Sequence, residues 1–415
     1  MKARIRIGTL IVLLATVFAL SGCPQHPYGI FASIERERPI LHDRNLGKEL
    51  TVGSMAKAGG MYFAATGALY FRRVDDPAAG LRPEWDIAPA PAVGDRTLLT
   101  TSIASASLGA AERIFAVFYS QDASVSGVYE IDPDTPHGTP SLVFDPATDF
   151  PDEIRRVDRV FSVDDGTQEW LIVSASTTAT PAWHHLYVSN NGTDFELVEG
   201  AGFQHPVVAV ASGGAGRVAY LTASEVAAHT AGVDPAAPPA FTTPEGTAKK
   251  AAAANFTGMM YQSDTLWLAD NRGHLYSSKD FGRPWTKGPV NPVSTADDRP
   301  VPFTTFAAVP RGAETIVVVG TRGYGYRVVG DAAVLTATTP VSSPDVPGSN
   351  YQGSDLATAV VETFFVDPDP VTGFPVQTAE QEEEWDGHLF FVGTAGKGLW
   401  RTLSSVSGPN QWVRE

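Results

Sequence analysis

The chain has 415 residues, with 30 Lys and Arg against 46 Asp and Glu and a formal net charge of −16 at pH 7. That balance argues against a nucleic-acid partner and against adhesion to anionic lipid head groups. The 39 Gly and 31 Pro exceed their usual combined share of about 12%. Long helical periodicities are scarce and Val, Thr, Phe and Tyr are plentiful, so the composition fits an all-β, turn-rich chain. The single cysteine, Cys23, excludes an intrachain disulfide.

In chain order, Lys2, Arg4 and Arg6 precede an apolar run from Ile7 to Leu20, too short to span a bilayer comfortably and typical of an export signal. It ends in Leu20-Ser21-Gly22-Cys23. This resembles the bacterial lipobox, in which small residues precede a cysteine that becomes the lipidated first residue. The resemblance implies a signal peptide over residues 1–22, a lipidated terminus and tether over 23–49, and a folded body over 50–415. More than two acyl chains on Cys23 would give stable membrane attachment. The location implied is the bacterial cell envelope, lipid-anchored on its periplasmic or outer-membrane face. Within the tether, Tyr28–Ile34 reads as a short strand.

From residue 50 a pattern recurs: a small-residue strand, a turn, an apolar strand, a turn, and a strand with aromatics. The second strands read as Met61–Ala65, Arg113–Val117, Glu169–Val173, Arg217–Leu221, Thr265–Ala269, Thr315–Val319 and His388–Val392. Their starts lie 48 to 56 residues apart, except for a last interval of 73. Third strands follow at Ala68–Phe71, Gly127–Glu130, His185–Val188, Leu275–Ser277, Gly323–Arg327 and Gly398–Arg401. The unit around residues 222–245 matches least. Val207–Ala211, with its small residues, suits a crowded inner strand. Seven such units predict a β-propeller of seven four-stranded blades; eight blades or a pair of β-sandwiches compete. The segment from Asp367 to Asp386 reads as a protruding loop, acidic at Glu380, Glu382, Glu383 and Glu384 beside Trp385. Ring closure is left to Gln411–Arg414 alone or to a strand supplied by Tyr28–Ile34.

Ser278-Lys279-Asp280-Phe281-Gly282-Arg283-Pro284-Trp285 follows a predicted hairpin whose turn is Asp270–Gly273. Asp280 suits a side chain that accepts amide hydrogens of its own turn, Gly282 permits positive φ, and Trp285 returns to the apolar layer. The spacing resembles the Asp-box of neuraminidase-type (BNR) repeats, which joins the third and fourth strands of a propeller blade. A shortened version occurs at Ser189, Asn191, Gly192 and Phe195, with Asn in the Asp position and Phe in the Trp position.

Sialidases, where such boxes are prominent, also need three arginines on a carboxylate and a Tyr–Glu pair. Arg38-Pro39-Ile40 has the wrong order for their N-terminal motif, and Arg299, Arg322 and Arg327 have no spacing that singles out a triad. No catalytic residue, cofactor or metal site is assigned. Adjacent His184 and His185 point to opposite faces of a strand, while Asp132-Pro133-Asp134 and Asp367-Pro368-Asp369-Pro370 fit turn chemistry. The candidate ligand rim is Trp183, His184 and Arg299, joined by Arg155, Arg156, Asp297 and Asp298. The functional expectation is a non-catalytic platform for an envelope protein partner, similar in plan to envelope lipoprotein propellers that scaffold outer-membrane assembly. The alternative is a carbohydrate-binding or glycan-hydrolysing protein on a sialidase-like scaffold. An aromatic platform with flanking carboxylates in the central funnel would favour glycan; an exposed apolar patch on a rim or blade edge would favour a platform.

Overall fold

Among the described residues, twenty-eight strands group into seven antiparallel sheets that follow one another along the chain. The computed structural model describes residues 46–47, 49–74, 84–109, 111–122, 124–150, 154–178, 182–214, 216–242, 255–279, 281, 284–288, 301–331, 355–377, 382–404 and 412–415. Cys23, Tyr28–Ile34 and the expected tether up to residue 45 lie outside the described residues, whereas Leu46 and Glu49 at its end belong to the folded body, Leu46 being buried and both bonding the blade 7 turn. Blade 1 holds β1 (Ser54–Ala58), β2 (Met61–Ala65), β3 (Leu69–Arg73) and β4 (Asp86–Ile87). Blade 2 holds β5 (Leu98–Leu108), β6 (Ala111–Ser120), β7 (Ser126–Ile131) and β8 (Ser141–Phe144). Blade 3 holds β9 (Ile154–Asp164), β10 (Glu169–Thr177), β11 (His184–Ser189) and β12 (Glu196–Leu197). Blade 4 holds β13 (Val207–Gly214), β14 (Arg217–Thr222), β15 (Val226–His229) and β16 (Ala240–Thr242). Blade 5 holds β17 (Phe256–Gln262), β18 (Thr265–Asp270), β19 (Leu275–Ser278) and β20 (Thr286–Lys287). Blade 6 shows β21 (Phe303–Arg311), β22 (Glu314–Thr321) and β23 (Tyr326–Asp331) among the described residues. Blade 7 holds β24 (Val361–Val366), β26 (Glu382–Thr394), β27 (Leu399–Ser404) and β28 (Val413–Arg414), with β25 (Val371–Gln377) paired to β26 outside this path.

The first strand of each blade touches the first strand of the next, from β1 to β5 and onward to β24, and β24 touches β1 again. The sheets therefore form a closed ring, a seven-bladed β-propeller. The reason lies in the second strands. Along β2, Tyr62 and Ala64 join a core shared with blade 7, while Phe63 and Ala65 join one shared with blade 2. In β18, Leu266 and Leu268 face blade 4, and Trp267 and Ala269 face blade 6. Successive strand residues point to opposite faces, so a sheet covered on both sides needs an uninterrupted apolar run. Seven separate cores result, one in every gap between neighbouring blades.

All seven predicted second strands lie within observed ones. Two other readings need correction. The segment after Asp367 is a β-hairpin: β25 runs antiparallel to the first half of β26, with Val371 opposite Gly387 and Gln377 opposite Glu382. Its acidic residues disguise a 13-residue strand whose second half is the apolar His388–Val392 run. The third strand of blade 6 begins at Tyr326, because Gly323 and Gly325 occupy the turn with φ of 100° and 63°. Blade 4 has a third strand, Val-Ala-Ala-His, that carries no sequence signal of its own.

Ring closure falls to β28, which pairs with β27 as the outer strand of blade 7. The lead-in to β1 docks on the blade 7 turn, with Val52 N donating to Thr394 O and Leu399 N donating to Leu46 O. The same joint recurs between blades 4 and 5, where Phe256 N donates to Ala223 O. Beside the joint of blades 7 and 1 lies a buried charge cluster. One Glu415 carboxylate oxygen meets Arg401 Nε at 2.7 Å and the other meets Arg72 Nε at 3.1 Å, while Trp85 Nε1 donates to the latter oxygen at 3.2 Å. Arg72 also stacks over the rings of Tyr62 and Trp85.

Replacing Glu415 with Gln leaves two buried guanidiniums short of a counter-charge. Unfolding by denaturant is expected to show a loss of about 3–5 kcal/mol. The aromatic of the first box that enters the core is Phe281, 3% exposed, while Trp285 stays half-buried at the edge of the same cluster. Phe281→Ala should cost about 3–5 kcal/mol and Trp285→Ala distinctly less; equal losses would place Trp285 in the core after all.

Candidate functional site

Side chains of an inner strand normally enter the gaps between blades, so lining the axis requires a break in register. Six inner strands carry one close to their N-terminal ends. The skipped residues are Thr101 in β5, Asp158 in β9, Val208 in β13, Thr257 in β17, Thr304 and Thr305 in β21, and Glu362 in β24. A β-bulge leaves its extra residue unpaired and re-aims its side chain. Thr101 and Glu362 are exposed, Thr257, Thr304 and Thr305 are half-exposed, the Asp158 side chain is nearly buried beneath Arg156 and His184, and Val208 is half-buried against the core between blades 4 and 5. All lie at the end of the ring that bears the loops between second and third strands. This end of the ring is its mouth, with Thr101, Thr305, Asp158 and Glu362 among the polar residues there, while Thr257 Oγ1 donates to Phe303 O of the next blade at 2.8 Å, Thr304 Oγ1 is buried and Val208 packs on the core between blades 4 and 5.

Arginines surround this mouth. Arg155, Arg156 and Arg159 are exposed on β9, and Arg322 is exposed on the opposite side, in the loop between β22 and β23. Arg156 Nη2 and His184 Nδ1 share Asp158, at 3.0 Å and 2.7 Å on separate oxygens. Arg159 Nη1 donates to Val208 O at 3.1 Å, tying blade 3 to blade 4. Loss of hydration in the channel pushes the Glu362 carboxyl up, partly countered by the positive charges of Arg322 and Arg159. The same loss of hydration pulls the Arg159 guanidinium down against the attraction of Glu362 and Asp158. The arginines of blades 3 and 6 thus act electrostatically on one carboxylate from blade 7.

Of the rim expected from sequence, Trp183 is 40% exposed, with its amide held by Thr177 Oγ1 at 3.0 Å. His184 is fixed by Asp158. Arg299, Asp297 and Asp298 lie outside the described residues. Tyr324, 43% exposed beside Arg322, is a second aromatic at this mouth. Sequence reading missed Arg159, Glu362 and the threonines, since a bulge is a property of two paired strands.

The box residues sit at the other end of blades 3 and 5. Asn191 Oδ1 accepts from the amides of Thr193 and Asp194, both at 2.9 Å, and Ser189 Oγ accepts from Gly192 N at 2.9 Å. Gly192 has φ of 82° and Phe195 packs against Phe144 of blade 2. Ser278 is buried, whereas Asp280 and Gly282 lie outside the described residues. On that same face a pocket of about 360 Å³ is lined by Lys57, Glu112, Phe365 and Asp369, among others. Lys57 Nζ donates to Asp367 at 2.6 Å and Asp369 at 2.7 Å. Burial pulls the Lys57 ammonium down, and these two carboxylates more than offset it. Asp367 also accepts from the Tyr62 hydroxyl, so this group ties blade 7 to blade 1. Among the described residues no cluster of three or more His, Cys, Asp or Glu is placed to hold a metal ion.

No protein-family model matches the sequence, and no curated protein matches it. Solved structures do. An ancestral GH74 enzyme aligns with a TM-score of 0.55 at 12% identity, covering 89% of this chain and 46% of that one. BBS1N in complex with ARL6DN aligns at 0.51 with 10% identity, over 88% and 95% of the two chains. YCF48 bound to D1 peptide gives 0.49 at 12% identity, over 86% and 94%. At such identities the likeness defines the class, a seven-bladed β-propeller, and nothing narrower.

The raised carboxyl of Glu362 predicts a pH dependence with a definite sign. A folded-state value above the unfolded one stabilises the protein while the group is protonated, and that contribution is lost as pH rises through the folded value. Glu362→Gln should therefore raise the melting temperature at neutral pH and leave it unchanged below about pH 4, where the unfolded-state carboxyl is itself protonated. A gain of equal size at both pH values would contradict this account.

Proposed function

We propose that the protein is a lipid-anchored, non-catalytic propeller that serves as a platform for protein contacts at the bacterial cell envelope. The anchor rests on the lipobox resemblance at Cys23, and the placement of the repeat among Asp-box types rests on the Ser278 and Ser189 stretches. The observation that carries the platform reading is at the blade edges. Outer strands of four consecutive blades expose apolar side chains: Ile87 in blade 1, Leu142 in blade 2, Leu197 in blade 3 and Phe241 in blade 4, between 36% and 47% exposed. Exposed apolar residues repeated along one side of a ring favour protein contact.

A glycan-binding reading has one observation in its favour, the exposed Trp183 beside the Asp158–His184 pair. It predicts a protein that captures an envelope polysaccharide and loses it on Trp183→Ala.

Two measurements test the main reading. Cys23→Ser should move the protein from the membrane to the soluble fraction; unchanged membrane association would refute the anchor. In-cell crosslinking of the anchored protein should then yield one stoichiometric partner, and Leu142→Asp with Phe241→Asp should abolish that product while the melting temperature holds. Crosslinks that survive both substitutions would rule out the blade edges as the contact surface.

A further inference from the structure

We propose that the mouth of the channel is a second contact surface, which binds an acidic, extended segment of a partner protein and seats its carboxylates on arginines of blades 3 and 6.

Charge is the first argument. The chain carries a net −16, yet its mouth gathers Arg155, Arg156, Arg159 and Arg322 against only Asp158 and Glu362 among the residues described above. Arg156 is engaged by Asp158, and Arg159 spends one donor on Val208 O. Arg155 and Arg322 are different: the guanidinium of each is exposed and makes no hydrogen bond or ion pair among the described residues. Guanidinium groups carry five donors in a fork that matches a carboxylate. Four positive side chains, two of them without acceptors, make an anion site in an otherwise acidic molecule. Field lines focus where low-dielectric walls surround such charges, and this channel mouth has walls on seven sides.

The second argument concerns shape. Blades 3 and 6 lie on opposite sides of the ring, and each carries an exposed aromatic at the same end as its arginines, Trp183 just before β11 and Tyr324 two residues after Arg322. An occupant that engages both sides must span the mouth. A single small anion meets one side; an extended chain meets both, with ring faces for its apolar side chains and guanidiniums for its acidic ones. Glu362, attracted by Arg159 and Arg322, is the internal charge with which such a chain competes.

This surface is distinct from the blade edges and goes beyond the platform reading, so the two can fail separately. The test uses the full-length protein in detergent and a fluorescein-labelled poly-Glu peptide, followed by fluorescence anisotropy at low and high salt. Binding is expected at low salt and should weaken as salt rises. Replacing Arg155 and Arg322 together with Ala should weaken it roughly tenfold, with the melting temperature held, since neither guanidinium has an acceptor among the described residues. Arg322→Lys should restore part of that loss in the Arg155-containing chain. Glu362→Gln should tighten binding, an opposite sign that a merely structural disturbance would not give. Glutarate serves as the small-anion arm and should compete poorly at matched carboxylate concentration. Absence of binding, or equal binding by the double variant, would overturn the proposal. Glutarate competing as well as the peptide would assign the mouth to a small dicarboxylic acid and overturn the partner-segment reading. Crosslinking through the blade edges would stand in any of these cases.

Discussion

A propeller stands or falls on the meeting of its last sheet with its first. Each blade is apolar on both faces, so an open ring would expose two whole sheet faces to water. Here the chain ends provide that junction in three layers. Backbone bonds join the blade 1 lead-in to the blade 7 turn, the Tyr62, Phe391 and Leu389 core fills the gap, and the Glu415 carboxylate bridges Arg72 to Arg401. On the other face Lys57 meets Asp367 and Asp369, again across blades 1 and 7. A buried ion group adds little net stability over apolar residues of the same volume, because removing the charges from water offsets their attraction. Its consequence is selectivity. Only when the blades close in the right register does Glu415 find both guanidiniums, and any other arrangement buries charge without a partner.

Closure also determines what the mouth can contain. Once inner strands are wedged between neighbours, their regular side chains are committed to the interblade cores. Polar residues reach the axis only through a fault in pairing, and the chain places that fault at nearly the same height in six blades. Four of the faults hold a hydroxyl or an aliphatic residue, which neither attracts nor repels ions strongly. Asp158 and Glu362 are the exceptions, and each is answered by arginine. The chemistry of the mouth is therefore set by a few residues held on a rigid ring, an arrangement suited to recognition.

The strands that bury both faces were legible from sequence because they must be apolar without interruption, as Thr265–Ala269 and Thr315–Val319 are. Third strands showed wherever an aromatic marked them. Val226–His229 has only small residues and a histidine, and its strand character comes from pairing with β14 and β16. The β25–β26 hairpin escaped because Glu382–Glu384 looked like solvated loop, while the backbone simply extends an apolar strand past the edge of its blade. At the candidate site Trp183 and His184 were legible as an aromatic and a titratable group in one loop. Arg159 and Glu362 were not, as the run Ile154-Arg155-Arg156-Val157-Asp158-Arg159 reads as an amphipathic edge with charges in water. Which of those charges turns toward the axis depends on where β9 slips against β10. Glu415 was hidden for a similar reason: a terminal glutamate is ordinarily solvated, and its burial follows only from the ring.

The charged mouth can be understood as an unfinished interaction. Glu362 lies in the field of two arginines and still holds its proton more tightly than a glutamate in water, because lost hydration outweighs the attraction and no donor hydrogen-bonds its carboxylate among the described residues. Arg156 has Asp158 and Arg159 has Val208 O as acceptors, whereas the exposed Arg155 and Arg322 have none among the described residues. Glu362 is thus held without hydrogen bonds that would offset its lost hydration. A carboxylate brought in from outside on a mobile chain can approach the guanidiniums at hydrogen-bonding distance, as Glu362, fixed on its inner strand, does not. Specificity for an acidic segment then follows from the exposed guanidiniums of Arg155 and Arg322, whose fork geometry matches a carboxylate.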